Sequence, residues 1–211
     1  MDRDRDLLVF AEQGQVGARL YGWKSSWITL GRFQKPEETL VGDTPWVVRP
    51  TGGLAVLHGH DLTVAIAIPH DLRSDRGRSV RSVYRQLVKP LVEALRECGL
   101  DAELCEDTRL GGPKAPGADC FAFSSPNDVV DRSTGQKVCG CAVRITDRAA
   151  LLQASIPFQT PLVPASRLIV GGVDTPVAEW RHDSFPVQFK EACLEFGLSA
   201  GVSLASSAVR Q

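Results

Sequence analysis

Three stretches of this 211-residue sequence hold residue types at spacings that suit chemistry on a carbonyl or phosphate group. In Arg49-Pro50-Thr51-Gly52-Gly53 a cation, a hydroxyl and two consecutive glycines stand just ahead of an apolar run that ends at His58. Glycines there let the backbone approach a ligand and aim amide N–H groups at an oxygen, although an ordinary Gly-Gly turn would read the same way. In Gly135 to Arg144, Lys137 opens a run of small and apolar residues that includes Gly140 and Ala142. A partly buried ammonium there needs an acceptor such as an acyl carbonyl or a phosphate, whereas an ammonium at a solvated strand end needs none. The third stretch is Asp119-Cys120-Phe121, at the end of a glycine- and proline-rich segment. A thiol at a loop end can be reached by a bulky substrate, and its thiolate is a strong nucleophile. A lone cysteine is equally a small packing residue. His58 and His60 flank Gly59 and offer either a base near neutral pH or two exposed turn residues.

The elements that must position these groups are legible from periodicity. Asp4 to Glu12 is compatible with a short amphipathic helix ending near Gly14. Ala18 to Gly31 reads as a hairpin around Lys24-Ser25-Ser26, and Trp46 to Arg49 as a further strand. Leu54 to Leu57 and Leu62 to Ile68 read as a second hairpin whose nearly all-apolar later arm belongs in the middle of a sheet. Ser79 to Cys98 is the clearest helix, with Val80, Tyr84, Leu87, Leu91 and Leu95 at spacings of three and four and Gly99 as its stop. Pro90 should kink that helix without ending it, because the apolar stripe continues on both sides. Asp107 to Asp119 is a loop. Phe121 to Phe123, Asp128 to Asp131, Lys137 to Ile145 and Ala149 to Pro157 read as strands, and Val187 to Phe196 as a closing helix. Strands in the middle with helices on the flanks, without regular alternation, predict an α+β fold with a mainly antiparallel sheet. The length predicts one domain spanning residues 1–211.

Composition narrows the function classes. With 24 Lys and Arg against 25 Asp and Glu, the chain has no overall pull toward nucleic acid or an anionic membrane, so neither is an expected partner. No run approaches the ~20 apolar residues of a membrane span, and the start has no signal-peptide core. The six cysteines then read as free thiols in a reducing, cytoplasmic compartment. Cys139 and Cys141 share one face of a strand, but no further Cys or His pair stands at the spacing that completes a zinc site, so no metal is expected.

Taken together, the three stretches resemble the family of lipoate-protein ligases and octanoyltransferases. Arg49 to His58 is similar to its Arg-Arg-Pro-Thr-Gly-Gly-x-Ala-Val-Leu-His motif from the second arginine onward. Gly135 to Arg144 resembles its Gly-Arg-Lys-Val-x-Gly-Ser-Ala-x-Arg segment, with Lys137 at the essential lysine. Asp61-Leu62-Thr63, Cys120-Phe121 and Ser125-Pro126 resemble elements of the octanoyltransferase branch, in which the cysteine carries the acyl group as a thioester. Leu151 to Pro157 is similar to the strand that closes the pocket, and the best-matched region runs from residue 27 to 157.

The resemblance implies the catalytic-domain fold shared with biotin ligases, and an octanoyl or lipoyl group as cargo. It implies catalytic roles for Cys120 and Lys137 and substrate contacts at Arg49, Thr51, Gly52, Gly53, His58, Gly140 and Ala142. The donor would be acyl carrier protein, and the acceptor a lysine on the lipoyl domain of a 2-oxoacid dehydrogenase or on the glycine-cleavage H protein. No cofactor is needed for that transfer. An ATP-dependent lipoate ligase, using ATP and Mg, is the alternative, and a non-catalytic module that binds a lipoyl group or its carrier is a further one. Several positions depart from the pattern. Val48 replaces the first arginine, Leu54 a third glycine and Gly59 an aspartate, while Ala154 stands where a His-Gly pair is contracted. The first three losses imply weaker nucleotide binding, and the contraction at Ala154 a reshaped acyl pocket. The start also looks short of a first strand, and the stretch after Pro157 too short for the accessory domain many ligases carry.

Overall fold

The computed structural model describes residues 1–69, 79–108, 117–174, 176–198 and 202–204, the last three by backbone alone. The chain runs α1 (Asp2–Glu12), β1 (Gly17–Tyr21), β2 (Trp27–Leu30), α2 (Pro36–Thr39), β3 (Trp46–Val48), β4 (Val56–His58), β5 (Asp61–Pro69) and α3 (Val80–Glu97). It continues through β6 (Ala102–Leu104), β7 (Val129–Asp131), β8 (Lys137–Ile145), β9 (Ala149–Pro157), α4 (Phe185–Glu195) and β10 (Val202–Leu204). Seven strands form one sheet in the order β10-β1-β5-β9-β8-β7-β6, and β3-β2-β4 form a smaller one. All ladders are antiparallel except β1 with β10 and β2 with β3. The mixed α+β class with a mostly antiparallel sheet is as the sequence predicts.

Beyond Thr63, β5 is apolar to its end because it is paired on both edges and covered on both faces. Ala65 and Ala67 pack with Leu151 against Leu8 and Ala11 of α1, while Val64, Ile66 and Ile68 face the core built with α3 and α4. Removing such area from water contributes about 25 cal/mol per Å2, and here it fixes the strand that carries Asp61 and Thr63 to the site. In α3, Ser79 accepts the Ser82 amide as N-cap, Pro90 lies inside the helix, and Gly99 leaves it at φ +99°. The glycines and prolines at 111–113 and 116, in the segment read as a loop, lie outside the described residues.

Two expectations need correction. Neither supposed hairpin exists, because each pair of strands is split between the two sheets: β1 pairs with β5, β2 with β4, and β5 with β9. Gly59-His60 has the length of a tight hairpin loop but acts as a corner. Gly59 sits at φ +105°, and a Cβ there would stand 2.9 Å from the Ser25 carbonyl oxygen, so the corner is wedged against the link from β1 to β2. Phe121 to Phe123 is not a strand either; Cys120–Ala122 is a turn of 3-10 helix. Asp119 accepts the Phe121 amide at 3.0 Å, a local side-chain bond that competes with sheet pairing. Among the described residues, no helix is long and apolar enough to cross a membrane.

Candidate active site

The 3-10 turn at Cys120 is held to the small sheet by the Cys120 amide, which donates to the Ala55 carbonyl at 2.8 Å. β8 brings Lys137 to it from the large sheet. The Lys137 Nζ donates to the Cys120 carbonyl at 2.6 Å and the Phe123 carbonyl at 3.2 Å, and lies 3.4 Å from the Cys120 Sγ. Its counter-ion is Asp128, at 2.8 Å, and both side chains are almost wholly buried, at 5% and 2% exposure. Asp128 also accepts the Ser125 amide at 2.7 Å and the Cys141 amide at 3.0 Å, so the carboxylate is locked before it meets the ammonium. Burial acts to lower the Lys137 pKa, but the charges and hydrogen bonds of Cys120 and Asp128 outweigh it and hold the group above the ordinary lysine value. Burial pushes the Cys120 thiol up, with Lys137 and Arg49 pulling the other way and Asp128 adding to the rise. The resting pair is therefore a thiol beside an ammonium.

The approach of that thiol depends on Gly140. A Cβ at this position would stand 3.2 Å from the Cys120 Sγ and 3.4 Å from both the Lys137 side chain and the Phe121 ring. Gly140 and Ala142 line a small cavity of about 30 Å3, together with Cys120, Arg49, His58 and Gln153.

The glycine turn is built differently. Arg49 is buried at 5% exposure. Its Nη2 donates to the Gly52 and Leu54 carbonyls, each at 2.7 Å, its Nη1 to the Thr29 carbonyl at 3.0 Å, and its Nε to the Thr51 Oγ1 at 3.2 Å. Burial draws its pKa down to about 10, which leaves it charged at neutral pH. With a fifth N–H, on Nη1, toward the Thr29 Oγ1 at 3.4 Å, the guanidinium shapes the turn and has no donor left over for a phosphate. Gly53 takes φ +85°, where a side chain would be strained and its Cβ would meet Arg49 at 3.0 Å; around Gly52 there is open space. Thr51 donates to Gln153 at 2.8 Å, and Gln153 donates to the buried Asp4 of α1 at 2.7 Å. That chain ties the turn to the far side of the large sheet.

The two histidines separate. His58 places Nδ1 2.8 Å from Asp61 and Nε2 2.8 Å from the Thr29 hydroxyl, and its ring stacks on Trp23 at 4.4 Å. With both nitrogens committed it is fixed in orientation. His60 lines a larger cavity of about 160 Å3, and its Nδ1 is buried without a partner among the described residues. Leu57 faces this larger cavity, while Val56 and His58 face the small one. Lys137 and Phe121 form part of the larger cavity's wall.

The structure thus brings Cys120, Arg49, His58, Gly140 and Ala142 to one small cavity, sets Lys137 against the Cys120 sulfur, and ties Thr51, Gly52 and Gly53 to that cavity through Arg49. Sequence reasoning missed Asp128, whose only signal is an acid opening the buried pair Val129-Val130, and Thr29, which sits in β2 without any motif. Gly31 was also missed: a Cβ there would lie 2.0 Å from the Gly53 carbonyl oxygen, so the turn needs this glycine as much as its own. Cys139 and Cys141 place their sulfurs 3.6 Å apart, and among the described residues no group of three or more His, Cys, Asp or Glu could hold a metal ion.

A seven-stranded mixed sheet with helices on both faces and a three-stranded sheet carrying the glycine turn has the architecture of the biotin and lipoate ligases. The chain belongs to the lipoyl protein ligase A/B catalytic domain family, whose model matches residues 3–189. It is 31% identical over 163 residues to an octanoyltransferase LipM from Kyrpidia tusciae, a match covering 71% of this chain and 57% of that one. A second such octanoyltransferase, from an Exiguobacterium species, is 34% identical over 151 residues, covering 66% and 53%. The chain thus spans little more than half the length of these relatives. In fold it is similar to lipoate-protein ligase A bound with ATP, at TM-score 0.69 and 19% identity over 99% of this chain and 82% of that one. A bi-partite lipoate protein ligase from Thermoplasma acidophilum, studied with its E2 lipoyl domain, gives TM-score 0.65 and 19% identity over 100% and 84%.

Proposed function

We propose that this chain moves an octanoyl or lipoyl group onto the lysine of a lipoyl carrier domain through a thioester on Cys120. The observation that carries this reading is the Lys137 ammonium lodged 3.4 Å from the Cys120 Sγ and fixed there by Asp128. The sulfur of Cys120 attacks the thioester carbonyl of an acyl carrier protein; the new C–S bond forms, the old one breaks, and the thiol proton leaves with the carrier's sulfur. Lys137 and the amides of Gly52 and Gly53 stabilise the charge that develops on the carbonyl oxygen. The acceptor lysine, on the lipoyl domain of a 2-oxoacid dehydrogenase or on a glycine-cleavage H protein, then displaces Cys120 as thiol. Exchange of a thioester for an amide is downhill, so this route uses no nucleotide. The likeness to octanoyltransferases at about one-third identity supports it.

The second reading is an ATP-dependent lipoate ligase, which the fold neighbours favour. One feature of this chain supports it as well: Arg144, at the end of the lysine motif, has its Nε buried without a partner among the described residues. ATP with Mg would then supply an acyl-adenylate, bound beside Lys137 in place of the thioester. Transfer from octanoyl acyl carrier protein to a purified lipoyl domain without ATP is the expected result. Lipoate-dependent pyrophosphate exchange, with no ATP-free transfer, would replace the transferase reading by the ligase.

A further inference from the structure

Whichever donor loads the acyl group, a lysine acceptor arrives as an ammonium and must lose a proton before its nitrogen can attack. Lys137 cannot serve, because its pKa is held high by Cys120 and Asp128. His58 cannot serve, because both its ring nitrogens are bonded. His60 differs on each count. It is 9% exposed, it lines the larger cavity, and its Nδ1 lacks a partner among the described residues.

The cavity has the chemistry of a lysyl arm. Pro157, Pro161, Pro164 and Val177 offer apolar wall to a methylene stem, while Asp119 and Asp174 offer carboxylates to an ammonium. Lys137 stands in the same wall and touches the Cys120 sulfur, so an arm entering here reaches the acyl carbonyl past Lys137.

We propose that the larger cavity admits the acceptor's lysyl side chain and that His60 takes the proton from its ε-ammonium. This rests on the reading that a carrier lysine is the acyl acceptor. The freed amine attacks the acyl carbonyl, the C–N bond forms and the C–S bond to Cys120 breaks. The nitrogen's surplus proton passes to the departing sulfur, and the proton on His60 returns to solvent. Burial lowers the pKa of His60, with Asp61 opposing and His58 adding to the shift, so the imidazole is neutral and able to accept at pH 7. The charged and titratable groups facing it are His58 and Asp61 from its own corner and Asp119, Lys137 and Asp174 across the cavity.

The test separates the half-reactions in the full chain. Wild type, His60→Gln and His60→Asn are loaded with octanoate on Cys120, and the thioester is discharged with a lipoyl domain or with hydroxylamine, which is already unprotonated at pH 7. Loading reports that each variant is folded. Both variants are expected to lose roughly 10²-fold in transfer to the lipoyl domain at pH 7, with the deficit shrinking as pH rises, and to keep wild-type discharge by hydroxylamine. Equal transfer by wild type and variants, or an equal deficit with hydroxylamine, would overturn the role of His60. No transfer by the wild type to any carrier lysine would instead overturn the acceptor reading and this role with it.

Discussion

Two buried cations, Arg49 in the wall of the small cavity and Lys137 in the wall of the larger one, differ in what they touch. Arg49 donates to three backbone carbonyls and to the Thr51 hydroxyl, all within the scaffold of the glycine turn. Lys137 spends two of its contacts on the Cys120 carbonyl and thiol and keeps a dedicated counter-ion, Asp128. Both are fully committed, yet only one of them touches a group that can form a covalent bond. A cation in a motif therefore says little about chemistry until its acceptors are known. Arg49 holds the turn in place, whereas Lys137 lies against the sulfur.

Substitutions can sharpen or break this division. Lys137→Gln should lower the rate of acyl loading by the folded protein by about 10²- to 10³-fold, read by quenched-flow or intact mass, and should also cost stability, because the buried Asp128 carboxylate loses its counter-ion. Arg49→Lys should cost stability while sparing the chemistry. A lysine cannot reach both the Gly52 and Leu54 carbonyls, so stability should fall by about 2 to 3 kcal/mol in denaturant titration while the folded fraction still acylates. Equal losses of rate in the two variants would erase the distinction. Asp128→Ala leaves Lys137 buried and unpaired, and should cost about 3 to 5 kcal/mol in the same titration, with Asp128→Asn milder because it keeps an acceptor for the Ser125 or Cys141 amide. Gly140→Ala should slow loading by roughly tenfold or less, since its methyl group pushes on the Cys120 sulfur at 3.2 Å. The smallest effect is on pH. Because burial raises the Cys120 thiol, the thiol form prevails at neutral pH, and the loading rate should climb with pH, by up to tenfold per unit, beyond the point where an ordinary thiol levels off.

The motifs made much of this site legible before any coordinates, and the reasons for the gaps are specific. Cys120, Lys137 and Gly140 were nominated by the resemblance of their segments to the family's motifs, since residue type alone left a packing cysteine and a solvated lysine open, and the three meet across one strand and one turn. Apolar runs and periodicity likewise placed β5, β8, β9 and α3. The pairing of β4 with β5 was misread because two apolar runs around the short polar turn His58 to Asp61 ordinarily make a hairpin; what overrides it is Gly59 packed against Ser25, a contact 34 residues apart in sequence that no local pattern encodes. Asp128 was hidden for a similar reason. Its task is visible only once Ser125, Lys137 and Cys141 converge on its two oxygens. The resemblance already set Lys137 apart as catalytic and Arg49 as a substrate contact, but that Arg49 spends its donors on the turn itself is visible only once the Thr29, Gly52 and Leu54 carbonyls converge on it.

The central claim is that Cys120 carries the acyl group, and the most direct measurement is the intact mass of the protein after incubation with octanoyl acyl carrier protein in the absence of ATP. The account predicts a single octanoyl adduct on the wild type that maps to Cys120, is discharged by hydroxylamine and is missing from Cys120→Ser. An adduct that persists in Cys120→Ser, or a wild type that stays unmodified while lipoylating its acceptor only with ATP, would contradict it.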